Sequence, residues 1–180
     1  MIRFDKIIEE WAIKYKPMQH VPGPNSRNKR FFYIDSIVQL SQFMAGAPNT
    51  GTPCVVYEFQ QNGYFGKGLQ SPVYNVYFPV RVPTMKLPLK ELANEAVNES
   101  MRHAEKFLAW LRQQQREDRD GFQNLELDNV EYDTFGPFLD NWYAVFIQIR
   151  DIGQYPVCVL AEDYLTDEEV AAVTGQGKQE

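Results

Sequence analysis

Leu92, Ala93, Ala96, Ser100, Ala104, Phe107, Leu108 and Leu111 recur at three- and four-residue steps, which puts small and apolar side chains along one face of a helix over residues 89–115. Pro88 suits the first turn of such a helix, where its missing N–H costs nothing, and the solvated run 113–120 followed by Gly121 stops it. A helix this long with a single apolar face must lay that face against another element. The rest of the chain therefore has to supply a surface to cover.

That surface reads as antiparallel sheet. In residues 142–151, Tyr143, Val145, Ile147 and Ile149 alternate with Trp142, Ala144, Phe146, Gln148 and Arg150, so one face is apolar and the other turns polar toward its end. Residues 130–135 precede it across the turn 136–141 and form the partner strand of a hairpin. Upstream, residues 54–60 and 73–82 form a second hairpin, with Gly63, Gly66 and Gly68 loosening a long loop between them.

Phe4, Ile7, Ile8, Trp11, Ala12 and Tyr15 form an apolar stripe, which predicts an N-terminal helix over residues 4–15. Pro17, Pro22, Gly23 and Pro24 make residues 16–30 a surface loop, and Asp35 caps a short helix through about Met44. A short strand at 157–161 and a helix at 166–173, capped by Thr166, close the chain. The expected fold is α+β: an antiparallel sheet from two hairpins with the long helix across one face, plus N-terminal helices. Residues 1–165 form a single domain, and residues 166–180 form a short C-terminal helix and frayed tail.

Charge is distributed unevenly. Residues 1–30 carry seven Lys/Arg against three Asp/Glu, whereas residues 117–180 carry three against fifteen, within an overall formal charge of -6. The only basic cluster, Lys14, Lys16, Arg27, Lys29 and Arg30, is small for a protein that reads duplex nucleic acid. It reads either as a solvated loop or as one half of a contact between copies of the chain. The apolar runs, such as residues 54–57 and 143–147, fall far short of the roughly 20 residues a membrane span requires. The chain opens without a signal peptide's apolar stretch, so a cytoplasmic protein with no membrane partner is expected. Cys54 and Cys158 each sit in an apolar stretch and read as buried core thiols rather than a disulfide or reactive pair.

Catalytic and cofactor signatures are missing: no nucleophile elbow, Walker loop, Cys-x-x-Cys, His-Glu-x-x-His or dinucleotide fingerprint occurs. The expectation is a non-enzyme without cofactor or metal. Glu95, Glu99 and His103 share one helical face at four-residue steps, a spacing that permits a metal pair but more commonly marks a solvated face. Tyr64, Phe65, Tyr74, Tyr77 and Phe78, with Lys67 nearby, read as core plus one exposed row, the row being able to meet a partner or stack on single-stranded bases.

The stretch Gly136-Pro137-Phe138-Leu139-Asp140-Asn141-Trp142-Tyr143-Ala144-Val145-Phe146-Ile147-Gln148-Ile149 resembles the closing hairpin of small tail-terminator or tail-completion (head–tail joining) proteins of tailed phages and prophages. The strands around residues 53–58 and 74–82, followed by the long helix, are similar to that family in order and length. The likeness covers residues 31–152. It implies a non-enzymatic subunit that forms a ring at the head-proximal end of a tail tube. Its partners would be copies of itself and other tail or head-connector proteins; nucleic acid is not expected among them. Such a subunit starts in the bacterial cytoplasm and ends in the virion or phage-like particle. Rings need head-to-tail interfaces in which two different patches meet. The expected patches are Arg27, Lys29 and Arg30 on one side and Asp163, Asp167 and Glu168 of the acidic last third on the other, with the hairpin residues Tyr64, Phe65 and Lys67 facing a partner. The alternative is a protein- or single-strand-binding module that uses that aromatic hairpin.

Overall fold

The computed structural model describes residues 3–23, 26–36, 39–40, 52–58, 62–66, 69–82, 89–138, 141–153 and 155–156. In chain order the elements are α1 (Phe4–Lys14), β1 (Phe31–Ile34), β2 (Val55–Glu58), β3 (Asn62–Gly66), β4 (Leu69–Arg81), α2 (Leu89–Arg116), β5 (Leu125–Phe138), β6 (Trp142–Asp151) and β7 (Tyr155–Pro156). The fold is α+β. Among the described residues no helix is long and apolar enough to cross a membrane.

The sheet runs β1-β2-β4-β6-β5, with β3 and β7 flanking the start of β4. Its two expected hairpins meet at its centre, where β4 and β6 pair antiparallel from Val73↔Arg150 to Arg81↔Trp142. The first hairpin is more elaborate than the sequence predicts. β2 pairs with β4 through Val56↔Tyr77 and Tyr57↔Val76, and the glycine-rich loop between them folds into its own strand, β3, which turns back onto Leu69–Val73. The second hairpin starts earlier than expected, at Leu125, with register shifts between Glu126 and Glu131 and again between Phe135 and Phe138. β1 adds a feature that the alternation does not announce: it joins β2 in parallel, so the sheet is mixed at that margin. Of the expected short second helix, Gln39 and Leu40 are helical and the remainder lies outside the described residues. The expected strand at 157–161, the helix at 166–173 and Cys158 lie outside them too.

α1 and α2 cover one face of the sheet. Phe4, Ile8, Trp11 and Ala12 of α1 and Ala104, Phe107 and Leu111 of α2 pack on Tyr57, Tyr74, Val76, Phe78, Val145, Ile147 and Ile149. Phe4 stacks on Tyr74 with ring centroids 4.2 Å apart, and Trp11 meets Phe107 edge-on at 5.0 Å. Burying side chains of this size contributes about 1.5–3 kcal/mol each, so this layer supplies most of the cohesion. The small residues on α2 let it sit close: the Ser100 hydroxyl donates to the Phe78 carbonyl at 2.5 Å and accepts the Val145 N–H at 2.6 Å.

The opposite face is buried near β1, β2 and β4 by Phe32, Ile34, Leu40, Cys54, Val56, Tyr77 and Trp142. Tyr74, Tyr77 and Phe78 are thus all core, divided between the two faces. Cys54 is fully buried, and burial pushes its thiol up to about 12, the behaviour expected of a core thiol.

Candidate assembly surface

The sheet ends at β1 on one side and β5 on the other, and no described strand pairs with the outer side of either. Register explains how these margins are related. Tyr33 opposes Tyr57, Tyr57 opposes Val76, Val76 opposes Ile147, and Ile147 opposes Tyr132, so one rung crosses five strands. Residues directly opposed across strands share a face. The middle three are buried, whereas Tyr33 is 46% and Tyr132 63% exposed. Each margin therefore carries an exposed tyrosine on the helix-bearing face, roughly 19 Å apart at about 4.8 Å per strand.

The margins also differ in charge. β5 contains Glu126, Asp128, Glu131 and Asp133 and no basic residue, and Asp128, Glu131 and Asp133 are exposed. Arg150 of β6 pairs with Glu131, and the Asp133 carboxylate accepts the N–H of Thr134 at 2.7 Å. β1, in contrast, follows directly on Arg27, Lys29 and Arg30.

The segment bearing these cations is pinned to the protein. Asn28 donates to the carbonyls of Met18 and Gln19, its own carbonyl accepts the Val21 N–H, and its Oδ1 accepts from Arg30 Nε at 2.9 Å. The Arg30 N–H donates to His20 Nδ1 at 3.0 Å, and the Arg30 carbonyl accepts the Val55 N–H at 2.8 Å. Arg27 is exposed and Lys29 half-buried, its ammonium 5.5 Å from the Phe32 ring centre. Arg30 is also half-buried, with Nη1 enclosed. Of the three cations, Arg27 is the exposed one. His20 is itself buried, which pushes its pKa down despite Glu9 nearby.

Asp163, Asp167, Glu168 and Lys67 lie outside the described residues; Tyr64 and Phe65 lie on β3, where the backbone alone is described. The acidic surface that the described residues do provide is β5. Sequence reasoning missed Tyr33, Tyr132, Asp128, Glu131 and Asp133. The alternation Val130-Glu131-Tyr132-Asp133-Thr134 was the available signal, but it marks a strand without saying that the strand is an edge.

Polar side chains also gather at two other places. On α2, Glu95 and Glu99 are exposed while His103 turns inward: its Nδ1 lies 2.9 Å from the Tyr15 hydroxyl and its Nε2 3.7 Å from Glu99. No three His, Cys, Asp or Glu side chains among the described residues come together to hold a metal. On the sheet face away from the helices, the buried Glu58 carboxylate accepts from Asn75 at 2.7 Å and Tyr77 at 3.0 Å, and Asn75 in turn accepts from Gln148 at 3.1 Å. Burial and Glu58 raise the Tyr77 phenol above its ordinary value. This network ties β2, β4 and β6 together and satisfies polar groups that would otherwise be costly inside. A groove of about 450 Å³ between α2 and the β5–β6 turn is lined by Asn94, Asn98, Val97, Thr134, Phe135 and Tyr143, an amide and apolar lining suited to a neutral contact.

No protein-family model and no curated protein matches this sequence.

Proposed function

We propose that the chain is a non-enzymatic structural subunit that joins copies of itself head to tail into a ring, as tail-terminator or tail-completion proteins do at a phage head–tail junction. The observation that carries this reading is the contrast between the two outer margins of one sheet, β5 acidic and β1 adjoining Arg27 and Lys29. A head-to-tail interface joins two different patches, and opposite charge steers such an encounter while opposing like-to-like contacts. The resemblance around residues 136–149, a stretch that includes the end of β5 and most of β6, supports the phage assignment. On this reading the subunit accumulates in the bacterial cytoplasm and is then built into a particle, where its partners are its own copies and tail or head-connector proteins.

Native mass spectrometry and light scattering across a salt series test it. A closed ring of one size that dissociates as salt rises is expected. A strictly monomeric protein at high concentration and low salt overturns the reading.

A further inference from the structure

The direction of the backbone groups on each margin shows how two copies fit. On β5 the Thr134 N–H is taken by its neighbour Asp133 instead of by β6. Successive N–H groups along a strand point to opposite sides, so Tyr132 and Thr134 both direct their backbone groups to the outer edge. On β1 the Arg30 carbonyl is bonded inward to Val55. By the same alternation Phe32 faces β2, and Phe31 and Tyr33 face outward. The two exposed tyrosines are therefore also among the residues whose N–H and C=O groups line the edges that no described strand covers.

Strand direction completes the fit. β1 runs with β2, while β2 opposes β4, β4 opposes β6 and β6 opposes β5. β1 and β5 thus run in opposite directions, and copies related by rotation about an axis along the strands bring them together antiparallel.

Resting on the assembly reading above, we propose that the joint is made by strand addition: the outer edge of β5 in one copy pairs antiparallel with the outer edge of β1 in the next, with Tyr132 opposite Tyr33. The four residues of β1 fit within the five-residue regular stretch of β5 between its two register shifts, 131–135. In this register Thr134 opposes Phe31, Asp133 opposes Phe32 and Glu131 opposes Ile34. Lys29 sits over the Phe32 ring, so its ammonium meets the Asp133 carboxylate of the neighbouring copy. Thr134 N–H passes from Asp133 to the Phe31 carbonyl across the joint. Asp133 then has two roles: it blocks the edge of a lone copy, as charged residues on edge strands do, and it pairs with Lys29 in the assembly. The tyrosine rung becomes continuous from copy to copy, an aromatic cross-strand pair closing each joint. Pairing β5 with β5 would instead set carboxylates against carboxylates.

Cross-linking tests the joint. In a Cys158→Ser background, with Cys54 fully buried, Tyr33→Cys and Tyr132→Cys proteins are mixed and mildly oxidised. A disulfide dimer containing one of each is expected, with at least about tenfold less dimer from either protein alone. Tyr132→Pro removes an outward N–H and the ring while leaving the β5–β6 ladder intact. It should weaken association roughly tenfold or more, as loss of an interface anchor does, with the thermal midpoint of the dilute monomer serving as the check on folding. Wild-type rings that survive Tyr132→Pro and give no mixed cross-link overturn the joint while leaving the assembly reading standing. A wild-type protein that stays monomeric at low salt overturns both. Cross-linking of Tyr132→Cys to itself shows that like edges meet and also overturns the joint.

Discussion

Ser100 shows how much one side chain can decide. It is fully buried, on a helical face of otherwise small and apolar residues, and its hydroxyl bridges Phe78 of β4 and Val145 of β6, which are opposed in the central pair of strands. Ser100→Ala leaves both backbone groups without that partner and should lower stability by about 1–2 kcal/mol, read as a lower denaturant midpoint at unchanged slope, with faster hydrogen exchange at the Val145 amide. Gly136 is fixed for a different reason. Its φ is +134°, and a Cβ there would lie 2.6 Å from the Tyr143 ring and 2.9 Å from the Trp142 carbonyl, so the irregular end of β5 accepts no side chain at this position. The sequence exposes Ser100 as a member of the apolar face and Gly136 as a turn residue, but the partner of each is known only once the strands are in place.

Among the elements, α1 and the segment after it are held by groups that respond to pH. Arg119, beyond α2, forms a two-pronged pair with Glu10 of α1 at 2.6 and 3.0 Å. The Arg119 hydrogen bonds, with Lys14 assisting, hold the Glu10 carboxyl down to about 2. Because the folded value lies below the unfolded one, this pair stabilises the fold above about pH 4.5 and its contribution is lost as pH falls toward 2. Both histidines flank the segment after α1: His103 meets Tyr15 at its start, and His20 receives the Arg30 N–H near its end. Burial lowers both pKa values, opposed by Glu9 and assisted by Lys29 at His20, and opposed by Glu99 and assisted by Arg102 at His103. An unfolded chain then binds protons that the folded one resists. Stability should be full above about pH 6.5 and fall as pH drops below it. Thermal midpoints measured from pH 8 to 5 should decline in the wild type and decline less in His20→Gln and His103→Gln.

For the whole molecule, the consequence of the fold is that two segments far apart in sequence become opposite margins of one sheet. If the margins meet between copies, Lys29→Glu and Asp133→Lys should each weaken association several-fold, while the double variant regains much of the loss; sedimentation velocity at fixed low salt measures all three. The net charge is unchanged in the double variant, so recovery there isolates the specific contact from the overall field. The extents of α1, α2 and β6 were legible in the chain, and so was the presence of the other hairpin strands, though β4 and β5 begin earlier than the alternation predicts, because periodicity and alternation are local. β1 was legible only as an aromatic run, since four residues with both faces in use show no alternation and its parallel partner lies more than twenty positions away.

By itself, then, the sequence determined a one-faced helix, the strands it must cover and a polarity of charge from front to back, all of which follow from the order of side chains along the chain. Tertiary structure alone decided which strands are edges, which tyrosines share a rung and which acids stand at the margin. Those are properties of pairing order and register, and hydrogen bonding between strands sets them across distances that no local pattern records.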